Sequence, residues 1–204
     1  FAKTLEHIAA KDSVNPWMVT LLTLSSHEPW EVPYTRILDN PVTNAFAYLD
    51  HCIGDFITKF KQTEAWDNSL VIFIPDHGNS HGLTEDVMQV EKNHVPLIMV
   101  GGALKGAEVI DVVCNQSDLA ATLLGQLGIP HEDFRMSRDV LSETYTLPFA
   151  MNSWSQGIVM TDAAGSTVYD LNTDKVSTTL NAPPASHTEI IRAYLQQSYT
   201  LLSN

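Results

Sequence analysis

An aspartate and a histidine stand side by side where an apolar run of the sequence ends. Residues 69–75 read SLVIFIP, and Asp76, His77 and Gly78 follow directly. The continuous apolar run predicts a buried strand, and the glycine predicts a tight loop after it. A carboxylate oxygen and an imidazole nitrogen are good ligands for Zn²⁺ or Mn²⁺. The pair therefore indicates part of a metal site; the simpler alternative is an ordinary turn with a capping aspartate and a solvated histidine.

Three more histidines stand near the ends of apolar runs. They are His27 in SSHEPW, His81 four residues after the Asp-His pair, and His94 just before VPLIMVGG. In open α/β sheets, functional groups collect beyond the carboxyl ends of the strands. Two protein ligands are too few for a stable metal site, so further ligands must converge on Asp76 and His77. Each of the three histidines, taken singly, is more often a surface residue than a ligand.

Strands and helices must alternate to place these side chains at one edge. A run rich in β-forming residues predicts a buried strand at 17–26. Continuously apolar runs predict strands covered on both faces at 69–75 and 95–102. Amphipathic spacing predicts helices at 2–11, at 41–65 and from Ser117 to Leu127. Asn40 and Pro41 are suited to begin the long helix, and we assign Ser117 and Asp118 to the cap of the third. The order predicts an α/β fold with a mainly parallel sheet flanked by helices.

The pattern changes near residue 150. Short alternating runs broken by AAGS and NTDK predict a small antiparallel meander, and apolar spacing predicts a terminal helix at about 188–202. We therefore predict two parts, residues 1–148 and residues 149–204.

Composition limits the classes of partner. Of the 204 residues 44% are hydrophobic, and 24 acidic against 11 basic side chains give a net charge of −13. That balance argues against nucleic acid, which requires a basic face. Cys52 and Cys114 can pair or remain free. Helical spacing begins at Phe1, which predicts a piece of a larger protein whose targeting segments lie upstream.

Several stretches, in order, carry a family resemblance. They are TLSSHEPW, NAFAYLDHCIGDFITKFKQTEAWDNSLVIFIPDHG, HVPLIMVGGAL and NQSDLAATLLGQLGI, spread over most of residues 15–145. Together they resemble the sulfatase-like branch of the alkaline phosphatase superfamily, and most of all the lipoteichoic acid synthase-like phosphoglycerol transferases. The resemblance implies an alkaline phosphatase/sulfatase-like fold that is incomplete in this chain.

The resemblance also implies roles for the residues singled out above. Asp76 and His77 become ligands of a divalent metal ion, with Mn²⁺ the first choice and Zn²⁺, Mg²⁺ or Ca²⁺ as alternatives. His27 becomes a catalytic or substrate contact near the nucleophile. His94 becomes a catalytic residue or a residue that faces the substrate, and His81 competes for the substrate-facing place. The family's nucleophile and its remaining acidic ligand lie upstream of the histidine segment and have no counterpart here, so we expect weak metal binding and little turnover from this chain alone.

The implied activity is metal-dependent transfer of a phosphoglycerol-type group through a covalent intermediate. The donor would be a phospholipid- or polymer-linked phosphoglycerol. The enzyme would work at the extracytoplasmic face of a bacterial membrane, anchored by upstream spans. One alternative is a sulfatase acting on sulfate esters, and another is a scaffold domain without catalysis. We also expect the chain to associate with the missing N-terminal half of the domain or with itself, because a sheet without its first strands exposes an apolar edge.

Overall fold

The computed structural model describes residues 1–11, 14–78 and 90–203. Contacts within the chain divide it into two compact units. The first unit comprises Phe1–Gly82 and Val95–Glu108, and the second comprises Leu83–His94 and Val109–Asn204. The separate subdomain predicted for residues 149–204 stays a prediction.

Two helices and a 3₁₀ helix form the core of the first unit. Helix α1 spans Ala2–Ala9, helix α2 spans Pro41–Phe60 and the 3₁₀ helix spans Glu64–Asn68. The buried side chains of Ile8, Phe56 and Phe60 pack in one cluster. Apolar positions three and four residues apart lie on one helix face, so the spacing in the sequence produces this shared core.

Helix α2 begins where the sequence predicts and ends earlier. The Asn40 carboxamide oxygen accepts a hydrogen bond of 3.0 Å from the backbone N–H of Thr43, and Pro41 occupies the first helical position. A cap of this kind contributes about 1 kcal/mol. The helix ends at Phe60 and not at the predicted residue 65. The N–H and the hydroxyl of Thr63 both donate to the Phe60 carbonyl, at 3.0 and 2.8 Å, so the chain forms a turn there and the helix does not continue.

Two short strands belong to the first unit. Strand β1, Val71–Phe73, pairs with strand β2, Ile98–Val100, in antiparallel register. The predicted parallel pairing is not confirmed, since all strand pairs in the described ranges are antiparallel. Apolar runs indicate which residues form strands, whereas the direction of pairing depends on the course of the connecting chain.

Two glycines directly after β2 allow its backbone to contact the backbone of the 3₁₀ helix and of Ser69. Gly101 has φ of +148°, and a Cβ there would collide with the carbonyl of Ser69. A Cβ on Gly102 would collide with the backbone of Asp67. The Gly102 N–H instead donates to the Trp66 carbonyl at 3.1 Å. This close approach of two backbones fixes where β2, and with it the paired β1, lies on the unit.

The predicted buried strand at 17–26 is wrong for this chain. These residues are irregular, and Met18, Leu22 and Leu24 are 88%, 76% and 73% exposed. A strand forms only where a neighbour pairs its backbone N–H and C=O groups. In the described residues, β1 and β2 pair only with each other, so the apolar run has no strand beside it.

The second unit contains the predicted meander and terminal helix, and both are confirmed. Four antiparallel strands lie in the order β3-β4-β5-β6. They span Ala150–Trp154, Gly157–Asp162, Gly165–Asp170 and Lys175–Asn181. The terminal helix α5 spans Ser186–Leu202. Ile191 of α5 is fully buried with Phe149, Met151, Ile158, Met160 and Tyr169, which form the core of this unit.

The remaining helices of the second unit are shorter. Helix α3 spans Val90–Asn93 and helix α4 spans Asp118–Gln126. After α4, Gly128 adopts a φ of +66°, a left-handed conformation that glycine commonly takes just after a helix. Cys52 and Cys114 are free thiols. No helix in the described part of the chain combines the length and the apolar character that crossing a bilayer requires.

A buried histidine fixes the start of α5. His187 is 1% exposed; its Nδ1 lies 3.0 Å from the Thr167 hydroxyl, and its Nε2 lies 2.9 Å from Oδ2 of Asp162 in a poorly aligned contact. Burial raises the pKa of Asp162, but His187 and two N–H groups of the following turn lower it more, so the net pKa falls below the ordinary value. The carboxylate therefore stabilises the unit above its unfolded-state pKa, and this stabilisation is lost as the pH falls through the lowered value.

Candidate functional site

The Asp-His pair lies on the loop that follows β1. The His77 N–H donates to Oδ1 of Asp76 at 3.0 Å, so the carboxylate is held against the backbone of its neighbour. Oδ2 of Asp76 lies 3.7 Å from Nε2 of His77. Both side chains are more than three-quarters exposed, at 78% for Asp76 and 76% for His77. The loop thus presents two possible ligand atoms close together and open to solvent.

A second hydrogen bond defines which imidazole nitrogen of His77 is available. Nδ1 lies 2.8 Å from the Gly78 carbonyl oxygen, which can only accept a hydrogen bond. Nδ1 therefore carries the hydrogen, and in the neutral ring Nε2 holds the lone pair. Metal-binding histidines commonly use the same arrangement, in which the other N–H donates to a carbonyl or carboxylate.

The separation of the two ligand atoms is compatible with one shared ion. Histidine nitrogens and carboxylate oxygens bind Zn²⁺ at about 2.0–2.2 Å, so two ligands of one ion lie at most about 4.3 Å apart. The 3.7 Å between Nε2 of His77 and Oδ2 of Asp76 is within that limit. Within residues 1–11, 14–78 and 90–203, no group of three or more His, Cys, Asp or Glu side chains is arranged to hold an ion. The two atoms of the pair are therefore close enough to be two ligands of one ion.

His27 lies on an irregular loop of the same unit. Its N–H donates to the Leu24 carbonyl at 3.2 Å, and its carbonyl accepts from the Trp30 N–H at 3.0 Å. Its Nδ1 lies 2.9 Å from the Glu28 carbonyl, so Nδ1 carries the hydrogen and Nε2 of the neutral ring is an acceptor. The ring is exposed. His27 can accept a proton or, once protonated, donate one at Nε2.

Of the other two predicted histidines, the structure describes His94. His94 directly follows α3, is exposed, and belongs to the second compact unit, whereas Asp76, His77 and His27 belong to the first. His81 lies outside the described residues. The substrate-facing roles of His94 and His81 stay predictions, as do the catalytic role of His27 and the metal-binding role of the pair.

Sequence reasoning missed Asn44, a polar residue on the buried side of α2. It is 8% exposed, and its side-chain amide bonds to the backbone of the loop that carries His27. The signal in the sequence is an amide next to Ala45 and two residues after Val42, both of which are apolar and buried. Such a position requires a partner for each buried polar atom, but the sequence does not say which.

Comparison with known proteins supplies the family. Residues 1–129, more than half of the chain, match the sulfatase family. The chain belongs to the sulfatase family. The resemblance inferred from its motifs is thereby confirmed, and the match covers Asp76, His77, His27 and His94.

Curated relatives carry two kinds of name. A lipoteichoic acid synthase-like protein of Bacillus subtilis (strain 168) is 26% identical over 69% of this chain, and a lipoteichoic acid synthase of Staphylococcus saprophyticus is 24% identical over 73%. Arylsulfatase K of Canis lupus familiaris is 28% identical over 41%. The matched regions amount to 27%, 26% and 16% of these relatives, so this sulfatase-family chain spans about a quarter of the first two.

A solved structure shows the fold. A protein in the alkaline phosphatase superfamily from Vibrio parahaemolyticus superimposes with a TM-score of 0.65 at 21% identity. The match covers 86% of this chain and 48% of that one. The predicted alkaline phosphatase/sulfatase-like fold class is confirmed. The matched part is about half of that solved chain.

Proposed function

We propose that the complete protein is a metal-dependent transferase of phosphoglycerol-type groups that works through a covalent intermediate. The observation that carries this proposal is the Asp76–His77 pair, which presents a carboxylate oxygen and an imidazole lone pair 3.7 Å apart on a loop after a strand. Family membership supports the coarser statement, a transferase or hydrolase of the sulfatase superfamily. The two relatives named for lipoteichoic acid synthesis match 69% and 73% of the chain, against 41% for the arylsulfatase, and this favours the transferase.

In this proposal Asp76 and His77 hold a divalent ion, Mn²⁺ in the first place. When bound, such an ion supplies positive charge for the oxygens of the transferred group and lowers the pKa of a nearby hydroxyl. His27 bonds to an oxygen of the transferred group or gives a proton to the leaving group at Nε2. The net charge of −13 does not oppose an anionic substrate, because a bound cation dominates the local field.

The nucleophile and further ligands come from other parts of the complete protein. Those parts would also cover the apolar side chains that the first unit exposes at 17–24, since burying such side chains is favourable by about 25 cal/mol per Å². We place the enzyme at the extracytoplasmic face of a bacterial membrane, with a phospholipid- or polymer-linked phosphoglycerol as donor. Association of the chain with itself is the competing way to cover the same surface.

The deciding experiment compares two substrates on one preparation. The complete protein is freed of metal with EDTA, reloaded separately with Mn²⁺, Zn²⁺, Mg²⁺ or Ca²⁺, and offered phosphatidylglycerol vesicles or 4-nitrocatechol sulfate. We expect release of diacylglycerol from the lipid only after reloading, with Mn²⁺ the most effective ion. Release of sulfate instead would establish the sulfatase alternative. Turnover of neither probe with any ion would favour the scaffold domain without catalysis.

A substitution at His27 tests its role separately from metal binding. His27→Ala in the complete protein is expected to lower kcat by about 10²- to 10⁴-fold, the usual contribution of a general acid or base, with metal content unchanged. The matched control is His7→Ala, because His7 is an exposed histidine of α1 in the same unit. Loss of bound metal in His27→Ala would make His27 a ligand, and full activity would remove it from the mechanism.

A further inference from the structure

The loop that carries His27 has no regular structure from His27 to Asn40, yet it is fixed to the first turns of α2. One side chain makes two of the connections. Oδ1 of Asn44 accepts from the Ile37 N–H at 2.9 Å, and Nδ2 of Asn44 donates to the Tyr34 carbonyl. Asn44 is 8% exposed and the backbone of Tyr34 and Ile37 is half-buried, so both bonds lie partly out of water.

Aromatic contacts fix the same loop at two further points. The Trp30 ring lies 6.2 Å from the Phe46 ring between centroids. The Tyr34 ring lies 5.7 Å from the rings of both Tyr48 and His51, and it stacks on the latter. These contacts are non-directional compared with hydrogen bonds, so they hold the loop near α2 without fixing its register along the helix.

We infer that Asn44 is a positioning residue for His27, and this inference rests on the proposed function. The Asn44 amide sets the register of residues 34–37 on α2, and the Trp30–Phe46 contact holds the part of the loop nearer to His27 against the same helix. Trp30 in turn donates its N–H to the His27 carbonyl at 3.0 Å. A carboxamide is the side chain required, because the site needs one acceptor for an N–H and one donor for a carbonyl.

The main test compares two asparagines of the same helix in the complete protein. Asn44→Leu removes both loop bonds and excludes water from the space. Asn40→Ala removes the cap, whose side chain bonds to Thr43 of α2, so it weakens the start of the helix and leaves both Asn44 bonds to the loop in place. We expect Asn44→Leu to lower kcat by about 10- to 100-fold with unchanged metal content, since a misplacement of about 1 Å has such an effect. Asn40→Ala should leave kcat unchanged.

A second readout does not need turnover. Hydrogen–deuterium exchange in the backbone of residues 27–37 is expected to rise in Asn44→Leu and to stay at the wild-type level in Asn40→Ala. Faster exchange with unchanged kcat would overturn the positioning role, and so would lost activity with unchanged exchange. If the wild type turned over neither probe, the proposed function would fail, and the exchange experiment would still test Asn44. Unchanged hydrogen–deuterium exchange of residues 27–37 in Asn44→Leu would then show that Asn44 does not position the loop.

Asn44→Asp supplies a pH signature and a variant of almost unchanged size. A protonated carboxyl accepts from the Ile37 N–H and donates to the Tyr34 carbonyl, whereas a carboxylate cannot donate. The kcat of Asn44→Asp relative to wild type is therefore expected to rise as the pH is lowered. A ratio that stays constant with pH would contradict a role for the donated bond. This variant also serves if Asn44→Leu does not fold.

Discussion

Replacing Asp76 or His77 by Ala in the complete protein is expected to remove the bound metal and to lower turnover by more than about 100-fold. Outer partners of metal ligands already change affinity or activity by about 10- to 100-fold, and removal of a ligand itself should exceed that range. Stability should change little, within about 0.5 kcal/mol, because both side chains are more than three-quarters exposed. Metal content by mass spectrometry, turnover and thermal unfolding measure the three effects.

The chain supplies a matched control for this substitution. His51 and Asp55 form another exposed His-Asp pair in the first unit, with 3.9 Å between Nε2 and Oδ2, and exposures of 54% and 61%. They lie four residues apart on α2 and do not belong to the loop after β1. Asp55→Ala should therefore retain both metal and turnover. If Asp76→Ala/His77→Ala kept full activity and metal, the assignment of this pair as ligands would be wrong.

Signals within a few residues were sufficient for the helices and the meander. The Asn40-Pro41 start of α2 is read from two adjacent residues, and its hydrogen bond to Thr43 forms as expected. The turns AAGS and NTDK separate the alternating runs that become β4, β5 and β6. These features depend on interactions between near neighbours in sequence, so the sequence alone determines them.

Features that depend on distant partners were not predictable in the same way. The run at 17–26 has the composition of a buried strand, but the described chain provides no strand to pair with it. The direction of the β1–β2 pair likewise depends on the connection between the strands. At the candidate site, the adjacency of Asp76 and His77 was visible in the sequence, whereas the role of Asn44 required knowledge of which loop lies on α2.

The assignment of Asp118 illustrates the same limit. The sequence assigns Ser117 and Asp118 to the cap of α4, but the Ser117 side chain makes no capping hydrogen bond. Oδ2 of Asp118 instead accepts from the N–H of Asn115, upstream of α4, at 2.8 Å. The same carboxylate also accepts from the backbone N–H of Arg138 at 2.9 Å and from its guanidinium at 3.0 and 2.6 Å. Twenty residues separate the two side chains, and no local pattern connects them.

Replacing either partner of this buried pair should have the largest effect on stability. Asp118 is 1% exposed, and the Arg138 guanidinium also donates to the Phe149 carbonyl at 2.7 Å, just before β3. Asp118→Asn or Arg138→Met leaves the other charge without its partner in a largely dry site. We expect a loss of about 3–5 kcal/mol in the free energy of unfolding, as for other broken buried pairs. Urea unfolding followed by circular dichroism measures it.

Neighbouring exposed residues provide the controls. Asp133→Asn and Arg135→Met change the same residue types in the same loop at exposed positions, so they should alter the free energy of unfolding by at most about 0.5 kcal/mol. The double variant Asp118→Asn/Arg138→Met should lose less free energy of unfolding than the sum of the two single variants. With both charges removed, neither is left buried without a partner. If the two single losses were as small as those of the controls, and added up in the double variant, the Asp118 carboxylate and the Arg138 guanidinium would not stabilise the unit as a pair. In that case the attachment of α4 to β3 would rest on Asn115, whose side chain bonds to both backbone groups of Met151 at 2.7 and 2.8 Å.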